Sequence, residues 1–341
     1  MDSSTYRPGA VLVTGGCGFI ASNVLNWMVR RRPDVRFVNL DRMDYCASLH
    51  NILPEVASAA NYAFVQGDVG DAELVGRLLR EHRIDTVMHF AAQSHVCNSF
   101  ESALQFTRDN MLATHVLLEC MRSYGAVRKA VIVSTDEVYG SVTDGVARKE
   151  DAPFAPTSPY AASKAAADLM AHAYATSYGM PIVITRSSNV YGPNQFPEKV
   201  VPRFIEQLRD GRPCTLHGGG TTRRMLLHVD DAVRAFDVVL DRVPCGTAVN
   251  IAAAAEDELV MSDLARRLIA LVRPGEPTER WLQTVADRPF NDVRYFIDST
   301  LLRSYGWSTR VSVDQGLRDT VAWYAAHPNH WSDTDEPKRS V

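Results

Sequence analysis

The sequence predicts an α/β fold: a doubly wound parallel sheet with a smaller mixed α/β lobe toward the C-terminus. Three observations carry that prediction. Short β-branched runs alternate with helix-spaced segments through the first half of the chain. Those runs are close to continuously apolar, as strands are when helices cover both faces of a sheet. A glycine-rich turn, Gly15 to Gly18, joins the first run to the first helical segment.

Taken in order, strands are expected at 11–14, 37–41, 63–66, 86–90 and 130–134. Helices are expected between them at 20–31, 71–82 and 104–124, where apolar residues recur at helical spacing. A long helix starting after Pro159 leads into a sixth strand at 182–186. Strand, crossover helix and strand in repetition make the sheet parallel. Residues 1–190 are thus read as the first domain. Beyond about residue 190, Pro193, Pro197, Pro202, Gly211, Pro213 and Gly218 to Gly220 break the pattern. Residues 191–332 are expected to form the smaller lobe, over the strand ends where such folds bind ligands. Some exchange of strands and helices between the two is expected. Residues 333–341 are charged and expected to be disordered.

Of 341 residues, 46% are apolar and 22% charged, ordinary values for a globular protein and incompatible with disorder of the bulk. Thirty-six basic against forty acidic residues leave a net charge of −4, which argues against a broad nucleic-acid-binding face. The N-terminus has no apolar stretch of the signal-peptide kind. No run is long enough to cross a bilayer, so no membrane partner is expected. Six scattered cysteines without a C-x-x-C pair indicate neither a zinc site nor a disulfide framework. Reduced thiols in the cytoplasm, and no metal, are the expectation.

The first strand runs into Thr14-Gly15-Gly16-Cys17-Gly18-Phe19-Ile20-Ala21 and then a helix. Gly15 permits a tight turn, and Gly18 lets backbone N–H groups approach a pyrophosphate at the helix N-terminus. Asp41 ends the second strand, where an acid hydrogen-bonds an adenosine ribose and disfavours a 2′-phosphate. A Rossmann-type site follows, favouring NAD over NADP, with the adjacent Arg42 pulling the other way. After the fifth strand comes Ser134-Thr135-Asp136-Glu137-Val138-Tyr139-Gly140, and further on Tyr160-Ala161-Ala162-Ser163-Lys164. Tyr160 and Lys164 share a helix face. A free tyrosine, with a pKa of about 10, is a poor base near neutrality. A neighbouring ammonium and a cationic nicotinamide would favour its phenolate.

Together, the Thr14-to-Ala21 turn and Tyr160-x-x-x-Lys164 resemble the extended short-chain dehydrogenase/reductase superfamily. The Thr135-Asp136-Glu137 triplet narrows the resemblance to the nucleotide-sugar 4,6-dehydratases that act on dTDP-glucose or UDP-glucose. Asp41-Arg42-Met43-Asp44-Tyr45-Cys46, Ala91-Ala92-Gln93-Ser94-His95-Val96, Ser188-Asn189-Val190-Tyr191-Gly192-Pro193, Phe196-Pro197-Glu198-Lys199 and Asp287-Arg288-Pro289 match in the same order.

That resemblance implies a hydro-lyase with recycled NAD: oxidation at sugar C4, loss of water across C5–C6, and reduction at C6. It implies that the Tyr160 phenolate takes the O4 proton beside Lys164, and that Thr135 hydrogen-bonds the same oxygen. Glu137 would be the base at C5 and Asp136 the acid at the departing hydroxyl, two carboxyls in unlike environments. Cofactor contacts are implied for Gly15, Gly18, Phe19, Ile20, Asp41, Arg42, Asp44, Asp68, Val69, Ala91 and Ala92, with Tyr160 and Lys164. Substrate contacts are implied for Ser94, Thr135, Asn189, Lys199, Arg224, Asn250, Arg288 and Asn291. A homodimer is implied as well, through helices around 104–124 and 160–178 packed as a four-helix bundle.

The chain also departs from the family pattern. Ala21 replaces the third glycine of the turn, and Cys97 stands where the family has an aspartate. His217 replaces a tyrosine of the bacterial dTDP enzymes, and Phe290-Asn291 their Gly-His. Tyr45-Cys46, Asn194-Gln195 and His217 resemble the plant and animal branch, in which UDP-glucose is a credible substrate. The rival readings are a nucleotide-sugar epimerase or decarboxylase, against which the Asp136–Glu137 pair argues, and a catalytically silent NAD-binding regulator.

Overall fold

Strand residues sort themselves between two cores. In β1 (Ala10–Thr14), Val11 and Val13 enter one core while Ala10 and Leu12 enter another, because successive side chains leave a strand on opposite faces. The computed structural model describes residues 6–287 and 290–332. Within it, β2 (Arg36–Asp41), β3 (Tyr62–Gln66), β4 (Thr86–His89), β5 (Lys129–Thr135) and β6 (Ile182–Ser187) follow the first strand. Val131 parts from Ala130 and Ile132, and Val183 from Ile182 and Ile184, in the same way. Each valine, leucine or isoleucine among them, fully buried, contributes about 1.5–3 kcal/mol. That is why both faces read as apolar.

The later strands are β7 (Asn189–Tyr191), β8 (Cys214–His217), β9 (Arg223–His228), β10 (Ala248–Ile251), β11 (Glu258–Val260) and β12 (Leu282–Val285). The main sheet has the order β10-β6-β5-β4-β1-β2-β3, and every pair in it is parallel. From β1 the chain builds outward one way to β3, then returns to build the other way from β4. A crevice opens at such a reversal, at the carboxyl ends of the strands. In β10 the chain returns to the sheet from beyond residue 190, and helix Val229–Arg242 packs on helix Phe19–Arg31. The division in sequence at 190 is therefore not a division in space. β10 pairs the outer edge of β6, whose N–H and C=O groups an open edge would leave unpaired.

The smaller lobe holds the sheet β11-β9-β7 and the pair β12-β8. Helices Val200–Arg209, Met261–Val272 and Val313–Ala326 enclose a third core that includes Phe204, Leu208, Leu264, Leu268 and Leu317. The helix expected over 104–124 is not uniform. It runs as Ala103–Phe106, a wider π-helical turn Thr107–Leu112, and Ala113–Tyr124. The wide turn carries Asn110, whose Oδ1 accepts from Gln93 N (2.7 Å) and whose Nδ2 donates to Gln93 O and Ser163 Oγ (both 2.9 Å). Apolar spacing does not register an inserted residue of this kind.

No helix among the described residues is long and apolar enough to cross a membrane. All six cysteines are free thiols. Residues 333–341, expected to be disordered, lie outside the described residues.

Candidate active site

A cleft of about 330 Å³ opens where the sheet's connections change direction. At one end the chain turns from β1 into its helix. Gly15 has φ 71°, and a Cβ there would sit 2.7 Å from the Ala91 backbone, so only glycine fits. Gly18 is the N-cap of helix Phe19–Arg31 and gives it no side-chain cap. The helix's first N–H groups are thus left for an anion. Asp41 fastens this turn to the end of β2: its carboxylate accepts from Cys17 N (2.9 Å) and Met43 N (2.8 Å). Burial raises its pKa, and those two hydrogen bonds oppose the rise.

The opposite wall is built on β5. Thr135 ends the strand, and its Oγ1 accepts from Glu137 N at 3.3 Å, capping the tight turn Asp136–Tyr139. That turn sets two consecutive acids on the same floor. Thr135 Oγ1 lies 3.3 Å from Asp136 Oδ1. Burial, and then the Glu137 carboxylate, push Asp136 up to about 8. Glu137 Oε2 lies 3.2 Å from the Tyr295 hydroxyl, which is 2.6 Å from Asp292 Oδ2. Thr157 donates to that same Asp292 oxygen at 2.5 Å.

Helix Pro159–Tyr178 brings in the remaining pair. Ser158 caps it by accepting from Ala161 N at 3.1 Å. Lys164 Nζ donates to Val133 O at 2.7 Å, and burial brings its pKa down to about 8 against the pull of Asp168. Tyr160 behaves otherwise than the Tyr-x-x-x-Lys pattern suggests. Burial first, and then the Glu137 carboxylate, raise its pKa, with Thr135 opposing. Lys164 alone therefore does not make the phenol a base.

Of the expected cofactor residues, Gly15, Gly18, Phe19, Ile20, Asp41, Arg42, Asp44, Asp68, Val69, Ala91 and Ala92 all line the cleft. So do Thr135, Asp136, Glu137, Tyr160, Lys164, Ser94, Asn189 and Lys199. Lys199 donates to Ser94 O at 2.5 Å. Four polar atoms of the wall, Ser134 Oγ, Asp136 Oδ2, Asn189 Oδ1 and Gln195 Oε1, are buried without a hydrogen-bond partner in the protein. Such atoms suit a polar ligand.

Three expected substrate residues are not in the wall. Asn250 is fully buried: its Oδ1 accepts from Tyr139, its Nδ2 donates to Arg148 O, and its N–H to Glu150. These three bonds brace β10 from inside the protein. Arg224 lies behind the acid pair, its guanidinium 4.3 Å from the Tyr295 ring centre and acting on Asp136 through its charge. Asn291 accepts from Arg224 at 3.4 Å and donates to Asp287 at 3.0 Å. Arg288 lies outside the described residues.

Sequence reasoning passed over Gln93, Asp109 and Asn110 in and beside the cleft, and Tyr295 and Asp292 behind it. The first and third hold each other across the π turn. Tyr295 comes from 158 positions beyond the Glu137 it meets, and Asp292 holds its hydroxyl; no spacing rule spans that interval. Of the departures, Ala21 is buried in the core with its methyl accommodated. His217 Nδ1 donates to Ala286 O at 3.1 Å.

The family model described as GDP-mannose 4,6 dehydratase matches residues 12–320. A trifunctional UDP-glucose 4,6-dehydratase/UDP-4-keto-6-deoxy-D-glucose 3,5-epimerase/UDP-4-keto-L-rhamnose-reductase of Arabidopsis thaliana is 44% identical over 98% of this chain. The chain spans about half the length of that relative, 50%. A dTDP-D-glucose 4,6-dehydratase of Mus musculus is 46% identical, with 96% of this chain and 91% of the relative covered. The crystal structure of DesIV, a dTDP-glucose 4,6-dehydratase from Streptomyces venezuelae with NAD and TYD bound, superposes with a TM-score of 0.90 at 39% identity. That match covers 96% of this chain and 100% of the other. With the glycine turn, the Thr135-Asp136-Glu137 floor and the Tyr160–Lys164 helix around one cleft, the chain belongs to the nucleotide-sugar 4,6-dehydratase family of extended short-chain dehydrogenases/reductases.

Proposed function

We propose that this protein is an NAD-dependent hydro-lyase that removes water from dTDP-glucose or UDP-glucose, leaving the 4-keto-6-deoxy nucleotide. The observation that carries the reading is the Asp136–Glu137 pair on the cleft floor beside Tyr160. Elimination of water needs a proton donor and a proton acceptor at adjoining carbons. Asp136, held up to about 8, keeps its proton at neutral pH and is the donor to the leaving hydroxyl. Glu137, on the same turn, is the acceptor at C5. Tyr160 takes the O4 proton, with Thr135 hydrogen-bonded to the same oxygen, while Lys164 stands one helical turn away. Ser94, Asn189 and Lys199 hold the hexose and diphosphate, and Arg224 acts from behind the acids.

The Gly15–Gly18 turn, the open helix N-terminus and Asp41 fit NAD. Bound there, NAD+ supplies a hydride acceptor and a positive ring beside the phenol. The test is incubation with UDP-glucose and with dTDP-glucose separately. Loss of water without net NAD reduction supports the reading; a product of unchanged mass, as from an epimerase, refutes it.

The assembly is a homodimer in the same reading. Leu104, Leu112, Leu169 and Tyr178 are each more than half exposed, and all four sit on 103–124 or on helix Pro159–Tyr178. Apolar residues grouped on two neighbouring helices suit a second copy related by a twofold axis. Free thiols throughout suit the cytoplasm.

A further inference from the structure

Arg42 follows Asp41 at the end of β2, where a guanidinium ordinarily accommodates the 2′-phosphate of NADP. In this fold that guanidinium is already engaged. One of its terminal nitrogens donates to Asp44 at 2.6 Å and to Asp109 at 2.5 Å, and the other to Asp68 at 3.3 Å. The carboxylates are themselves held in place. Asp44 Oδ2 also accepts from Gln93 Nε2 at 2.6 Å, and its Oδ1 from Tyr45 N at 2.8 Å. Asp109 accepts from Gln105 Nε2 at 2.8 Å. Asp109 sits in the π turn and lines the cleft wall beside Arg42. An exposed ion pair contributes little, but Arg42 and Asp109 are respectively 31% and 11% exposed, and the group is a network. Three carboxylates hold one guanidinium at the adenosine end of the cleft, and the charge of Asp41 acts on it as well.

We propose that Asp44 and Asp109 are specificity-determining residues: by holding Arg42 across the adenosine end, they withhold it from a 2′-phosphate and make the site select NAD against NADP. The inference rests on the NAD reading above. It adds that the selection depends on how Arg42 is held, beyond the charge of Asp41. The acids act by occupying donors that a phosphate would need. Gln93 and Gln105 keep the acids aimed, so that the arginine does not swing out at little cost.

The purified protein is incubated with equal concentrations of NAD and NADP and desalted, and the cofactors released on denaturation are quantified. The wild type retains NAD almost alone. In Asp44→Asn combined with Asp109→Asn, the ratio of bound NADP to NAD rises by about tenfold or more, the size expected of one charge-assisted hydrogen bond to phosphate. Adding Arg42→Ala to that variant returns the ratio to within about twofold of wild type. A double variant whose ratio stays within twofold of wild type overturns the proposal. So does a rise that survives Arg42→Ala, since simple loss of acidic charge then explains it. If the double variant does not fold by circular dichroism, Asp109→Asn alone is used, and a rise of about threefold is expected. A wild type that takes both cofactors equally sinks the NAD reading itself, a different result from failure of the variants.

Discussion

Asp136 is held far from its ordinary range, and that has a consequence for stability separate from catalysis. In the unfolded chain an aspartate loses its proton near pH 3.9. In the fold, burial and Glu137 keep the proton on Asp136 up to about pH 8. Between those values the folded state binds one more proton than the unfolded state. Stability therefore falls as pH rises through that window, by about 1.4 kcal/mol per unit. From pH 5 to pH 7 this single residue removes about 3 kcal/mol. Below about pH 4 both states are protonated, and above about pH 8 neither is, so the slope vanishes at each end. Asp136→Asn has no proton to lose and keeps the shape of the side chain. Urea denaturation of wild type and variant at pH 5, 6 and 7 should show the variant gaining about 3 kcal/mol on the wild type over that range. Half of that gain is still readily measured. The same variant should lose about a hundred- to ten-thousand-fold in kcat, since the donor to the leaving hydroxyl is gone. A stability difference that does not change with pH means Asp136 titrates as an ordinary carboxyl and cannot be the donor. Glu137→Gln supplies a second check: with the neighbouring carboxylate removed, the window over which wild-type stability declines should narrow from its upper end.

Glu137→Gln should also accumulate NADH, seen by absorbance, because hydride can leave C4 while C5 keeps its proton. Tyr160→Phe should form almost none, down about a hundred-fold or more; if Glu137→Gln instead retains solvent exchange at C5, another group is the base. Asn250→Ala should destabilise the fold by about 1–3 kcal/mol, since the Tyr139 hydroxyl loses its acceptor and Arg148 O one of its two donors. Its KM for the sugar nucleotide should stay within twofold, and a tenfold rise in KM would put Asn250 back among the substrate contacts. Leu112→Arg with Leu169→Arg should convert a dimer to a folded monomer by light scattering. A wild-type monomer at micromolar concentration would remove the basis of that experiment and of the dimer.

What the sequence determined by itself is local. Strand runs such as 11–14 and 130–134, the helix at 20–31, the Gly15–Gly18 turn and the pairing of Tyr160 with Lys164 all depend on residues within a few positions of one another. Side-chain period, glycine's tolerance of positive φ and the turn of a helix are properties of short segments, and they survive into the fold unchanged. The order Thr135-Asp136-Glu137 was legible for the same reason. The tertiary structure alone decided the rest. Asp136 owes its raised pKa to burial, and Tyr160 moves up instead of down because a low-dielectric floor and the Glu137 carboxylate outweigh any help from Lys164. Asn250 became a brace because β10 returns to the main sheet from beyond residue 190, which no local pattern announces. Tyr295 reaches Glu137 from 158 positions further on and Asp292 holds its hydroxyl, while Asp109 meets Arg42 from the wide turn at 107–112. Each of these is set by contacts distant in sequence or by exclusion of water, and neither is written in the spacing of a single segment.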